Sequence, residues 1–135
     1  MLLRSTIVLL ALADGVLHLW LNQAMFRGNF FGPLPFPSPF PLPMNRLFTL
    51  NFVGYVVMAV LFWFANRLLG ARQWLIDLLL IVYTALSIAG WVQIGLPNPQ
   101  GLGYLSKVFE VLLIIAVALH WWSLTQAGGA SRNAG

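Results

Sequence analysis

Trp74-Leu75-Ile76-Asp77-Leu78-Leu79-Leu80-Ile81-Val82-Tyr83-Thr84-Ala85-Leu86-Ser87-Ile88-Ala89-Gly90-Trp91-Val92-Gln93-Ile94 is an apolar run holding one acid and neither proline nor a basic residue. About 20 such residues cross a bilayer as a helix, so this run is long enough to span. Three more lie around it, from about Thr6 to Leu21, Leu47 to Ala65 and Tyr104 to Trp122. Four crossings use most of the 135 residues and leave about 55 for all loops and ends, which excludes a large extramembrane domain. The reading is an all-α, integral membrane four-helix bundle in a single domain, 1–135. Spans are expected at about 5–22, 46–65, 73–94 and 104–123, with a polar tail at 126–135. The short second and third connections favour an antiparallel, up-down order.

Composition agrees. The chain is 60% hydrophobic and 7% charged, against roughly 25% charged in soluble domains. Trp20, Trp63, Trp74, Trp91, Trp121 and Trp122 all fall near expected helix ends, where an indole keeps its ring apolar and its N–H wet. A soluble core would not produce that spacing. Zero cysteines remove disulfides and thiolate chemistry, and a net charge of +4 spread over seven cations is no nucleic-acid surface. Met1 to Arg4 followed by an apolar stretch and Ala11-Leu12-Ala13 has the look of a secretory signal. The apolar character continues through Leu21 without a polar break, so a permanent first helix is expected.

An even number of spans puts both ends on one side, with Arg4, Arg67, Arg72 and Arg132; Arg27, Arg46 and Lys107 fall on the other. The compact connection from Asn66 to Gln73 carries two arginines beside spans, which places both termini in the cytoplasm. Between spans one and two, Gly32 to Pro43 has proline at every second position, six times. Helix is excluded there, and a stiff extended strap is expected, with a reach of roughly 34 Å at about 3.1 Å per residue. Its spacers and flanks, Phe30, Phe31, Leu34, Phe36, Phe40 and Leu42, want apolar contact. Two expectations stand for it: it lies in the interface or lids its own bundle, or Phe30, Phe31, Phe36 and Phe40 dock on a neighbouring membrane subunit.

The three acids all sit in or at spans, where an ionisable group is costly unless paired or hydrated. Asp14, His18 and Asn22 recur every four residues as one stripe on the first helix, with Ala11 and Gly15 allowing close approach. Counting about 1.5 Å per residue from the external ends puts His18 and Asn51 roughly 6 to 8 Å deep, Glu110 roughly 9 Å and Asp14 roughly 12 Å. Tyr55 is one turn beyond Asn51, while Ser87 and Gln93 approach the same level. A polar pocket around Asp14, His18, Asn51, Tyr55 and Glu110 is therefore expected in the external half, lidded by the strap. It has two readings: a site for a small lipophilic molecule with a polar head, or interhelical glue that fixes register. Lys107 and Glu110 are spaced for an i to i+3 pair.

Asp77, in the first turn of the third helix near Arg72, is expected to anchor that end at the interface. His18 and His120 fall at opposite ends of their helices, so a haem bridging them is not expected. No HExxH, Walker loop, GxSxG or EF-hand pattern occurs, and neither a catalytic residue nor a metal ligand set is assigned.

Gly15-Val16-Leu17-His18-Leu19, near the end of a first span in a chain of four short-looped helices, resembles the broad DoxX-like group of small bacterial membrane proteins. That resemblance implies the setting of quinone-coupled respiratory complexes and a bacterial inner membrane. It transfers no catalytic residue. The function expected first is a small accessory subunit of a larger membrane complex, respiratory or photosynthetic, beside lipid and other subunits; no cofactor is assigned to the chain, and a bound lipid, quinone or neighbouring pigment is what that setting would allow. The alternative is a binding or transport protein for a small lipophilic or quinone-like ligand in the polar pocket; a lipid- or quinone-directed enzyme using Asp14 and His18 ranks third.

Overall fold

The computed structural model describes residues 1–35 and 38–132, with side chains described up to 126. Four helices form: α1 (Leu2–Phe26), α2 (Met44–Leu69), α3 (Trp74–Gln93) and α4 (Leu102–Arg132), with no strand among the described residues. All four are long and apolar enough to cross a membrane. Each helix overruns its expected span at one end or both, except α3. Helix α4 runs on to Arg132, through residues read as a tail.

The breaks are chemically legible. Pro43, the last strap proline, sits at the N-cap of α2, where its missing N–H costs nothing. Gly70–Arg72 and Pro99–Gly101 form single 3-10 turns between α2, α3 and α4. Contacts between α1 and α2 join Arg4 to Phe62 and Asn22 to Asn45, and those between α3 and α4 join Asp77 to His120 and Ser87 to Glu110. Both pairs are therefore antiparallel.

Helix α1 is the hub, packed closely on α2 and α4, while α3 leans mainly on α4 and touches α2 only thinly. Gly15 closes the α1–α2 contact: a Cβ there would lie 3.2 Å from Tyr55 Cβ. The core runs along the hub, with Ile7, Ala11, Tyr55, Met58, Phe62, Leu80, Leu113 and Val117 all buried. A smaller cluster at the strap end joins Leu21, Phe26 and Phe48, with Leu34, Ile94 and Leu102 against it. Outward, Leu9, Val57, Leu86 and Leu119 are exposed on four different helices, and a lipid environment is what suits them. Trp74 stacks on Trp121 at 6.2 Å between ring centroids, and Trp91 Nε1 donates to the Pro97 carbonyl at 2.9 Å.

Candidate functional site

The polar stripe of α1 divides between two tasks. Its lower members, Asp14 and His18, enter a cluster at the centre of the bundle. Its upper member, Asn22, instead donates to the Asn45 carbonyl at 2.6 Å and to Thr49 Oγ1 at 3.2 Å. That corner holds the α1–α2 loop. Asn45 Nδ2 donates to the carbonyls of Asn29 (2.6 Å) and Gly32 (3.0 Å), and Arg46 Nε donates to that of Phe31 (3.0 Å). A loop rich in proline has few N–H groups to pair its own carbonyls, so side chains of α2 supply the donors.

In the central cluster, Glu110 of α4 is fully buried and has both oxygens engaged. Oε1 accepts from Ser87 Oγ at 2.6 Å and Tyr55 Oη at 3.2 Å, and Oε2 pairs with the Lys107 ammonium one turn away. Asp14, also fully buried, accepts from Ser106 Oγ at 2.7 Å through Oδ1, while Oδ2 has no hydrogen-bond partner. His18 Nδ1 lies 2.9 Å from the Asp14 carbonyl. A carbonyl only accepts, so Nδ1 is the donor, and on the neutral ring Nε2 is a lone pair. Nε2 is 3.5 Å from Ser87 Oγ and 3.8 Å from Glu110 Oε1. From α2, Asn51 Nδ2 donates to Ser87 Oγ at 2.8 Å and Asn51 Oδ1 accepts from Tyr83 Oη at 2.6 Å. All four helices thus meet in one network.

Asp14, His18 and Glu110 each offer a ligand atom, all within 4.8 Å of one another. A metal ion there would have to displace the Lys107 ammonium or the hydroxyls already on Glu110. The donor set fits a hydrogen-bonded network better than a coordination shell.

Beside the network, the thin α2–α3 contact leaves a cavity of about 420 Å³. Leu47, Leu50 and Gly54 form one wall and Leu86, Gly90 and Ile94 the other, while Phe40 and Met44 close the strap end. His18, Asn51, Ser87 and Lys107 make its polar inner end. Apart from these, Tyr83 and Trp91, the lining is apolar, the usual makeup of a small-molecule site.

The structure brings Asp14, His18, Asn51, Tyr55 and Glu110 together. Of the strap aromatics, Phe40 lines the cavity, Phe30 is half-buried, Phe31 points outward at 64% exposure, and Phe36 lies outside the described residues. Gln93, expected only to approach the level of Ser87, is exposed, six residues or about 600° further along and so on another face. One expectation is corrected. Asp77 is fully buried and faces His120 Nδ1 at 3.0 Å instead of anchoring an interface with Arg72. Both lie toward the same end of the bundle, so depth counting applied to them as well would have paired them. Ser106 and Tyr83 were missed although each is four residues before a named polar residue, Glu110 and Ser87, on the same helical face.

The fold and site define a small four-helix bundle, its helices long and apolar enough to cross a membrane, with a buried polar centre and a side cavity. Compared with known proteins, the chain matches no protein family, no curated protein and no solved structure.

Proposed function

We propose that this chain is a membrane-embedded binding protein for a small lipophilic molecule with a polar head. The cavity between α2 and α3 carries the reading: about 420 Å³, lined mostly by apolar side chains, with His18, Asn51, Tyr83, Ser87 and Lys107 as its polar ones and Trp91 beside them. Its walls include Leu50 and Leu86, which are also exposed on the outer surface, so a molecule dissolved in lipid has a path from the side. A purely adhesive network would gain from a well-filled wall, since an empty space forfeits packing. The setting that goes with this reading is a bacterial inner membrane, both termini cytoplasmic, with the cavity in the external half.

Gly90 offers a clean test, because a Cβ added there meets nothing within 4 Å and the residue lines the cavity. Gly90→Phe should fill the space and lower the content of a copurifying lipid or quinone, read by mass spectrometry, at least tenfold while thermal stability holds or rises. Unchanged ligand content in a folded Gly90→Phe protein would refute the cavity as the site.

A second reading, an accessory subunit of a larger complex, draws on Phe31, a large aromatic exposed at 64% on the loop. Stoichiometric copurification of large subunits from the native membrane, lost in Phe31→Ser, is its expected signature; a lone chain would refute it.

A further inference from the structure

The proposed ligand's head can be specified from the hydrogen bonds that the polar end of the cavity leaves unmade. Glu110 is saturated by Ser87, Tyr55 and Lys107. Ser87 spends its one proton on Glu110 and already accepts from Asn51, and Tyr83 spends its proton on Asn51. His18 is different. Its Nδ1–H is committed to the Asp14 carbonyl, and Nε2 finds its nearest hydroxyl, Ser87, at 3.5 Å, with that proton turned toward Glu110. Nε2 is therefore a buried acceptor without a well-placed donor, at the edge of a cavity. Lys107 is the converse: it holds three N–H donors, pairs with Glu110 Oε2, and lies 5.7 Å from the Trp91 ring centroid, which leaves donors for the same space.

A group that fits both needs gives one proton and accepts one. A hydroxyl does this; a ketone, quinone carbonyl or ether only accepts. Charge narrows the class further. Around His18, α1 contributes Asp14, α2 Tyr55, α3 Tyr83, and α4 Lys107 and Glu110, so two buried carboxyl groups and one ammonium already share the site. An anionic head would be buried beside the carboxyl groups of Asp14 and Glu110, and a cationic head would meet the Lys107 ammonium at close range.

We propose, resting on the reading of the cavity as a ligand site, that it takes a neutral lipid whose head carries a hydroxyl, a lipophilic phenol or alcohol, with that O–H donating to His18 Nε2 and its oxygen accepting from Lys107. His18 is then the residue that separates a hydroxyl head from its carbonyl and ether counterparts. The site prefers the hydroxyl form because only that form supplies the missing proton.

The test uses the full chain in nanodiscs and four probes that differ only at the head: 4-decylphenol, its methyl ether, 4-decylbenzoic acid and 4-decylbenzylamine. Binding is measured by equilibrium dialysis against protein-free discs, which removes partition into lipid. The phenol should bind about tenfold tighter than the ether, the worth of one hydrogen bond to an otherwise unmatched acceptor. That advantage should shrink below about threefold in His18→Phe. Should His18→Phe fail to fold, the ¹⁵N resonance of His18 Nε2 in the wild-type protein supplies the second readout, moving with the phenol and not with the ether. An ether that binds as tightly as the phenol, an acid or amine that binds tighter, or a phenol preference that survives in folded His18→Phe overturns the assignment. Binding of none of the four above the lipid background refutes the cavity reading beneath it.

Discussion

Gly54→Ala is the sharpest probe of how α2 and α3 meet. In helices generally, glycine to alanine stabilises by roughly 1 kcal/mol through backbone entropy. Here the new methyl would collide with the hydroxyl of Tyr83, stand 2.6 Å from its Cζ and 3.1 Å from its Cε2. These atoms belong to a ring held by its hydrogen bond to Asn51 Oδ1 at 2.6 Å and an edge contact with Tyr55 at 5.0 Å, so it cannot simply swing aside. Overpacking costs about 1–3 kcal/mol and a lost hydrogen bond about 1 kcal/mol, which leaves a net destabilisation of roughly 1–3 kcal/mol after the helix gain. The assay is reversible unfolding in mixed detergent, run as a double-mutant cycle with Tyr83→Ala. With the ring gone the methyl loses its three nearest contacts, so Gly54→Ala should then stabilise by about 1 kcal/mol, giving a coupling of roughly 2–4 kcal/mol. A Gly54→Ala protein as stable as wild type, or a coupling near zero, would refute the close α2–α3 contact at this level and with it the shape of the cavity wall.

Asp77→Ala, which strips His120 of a buried partner, should cost about 3 kcal/mol or more by the same unfolding assay, while Asp77→Leu with His120→Leu should recover most of it; equal losses in both would contradict the pairing. Asn45→Ala removes the donor to two loop carbonyls, so hydrogen exchange and proteolysis of residues 27–43 should rise at least fivefold with little change at α3. Ser106→Ala takes from buried Asp14 the hydroxyl that donates to Oδ1, and a loss of about 1–3 kcal/mol is expected; a neutral outcome would mean that Asp14 is satisfied by other means.

Four helices, their approximate limits and the convergence of Asp14, His18, Asn51, Tyr55 and Glu110 were legible in the sequence alone. These follow from quantities a linear chain carries: the length of apolar runs, the four-residue recurrence of polar groups, and depth counted along a helix. A non-helical strap is expected for a similar reason, since proline constrains φ locally. What tertiary structure decided was which neighbour each side chain met. Asn22 continues the stripe of Asp14 and His18 yet serves the loop, because Asn45 and Thr49 stand across from it. Asp77 turns inward to His120, a choice set by how α3 is rotated on α4. The cavity lies between α2 and α3, where α3 leans on α4 and meets α2 through Tyr83 against Gly54 and Ser87 against Asn51. Rotation and lean of a helix are settled by contacts among distant residues acting together, and no periodicity within one helix encodes them.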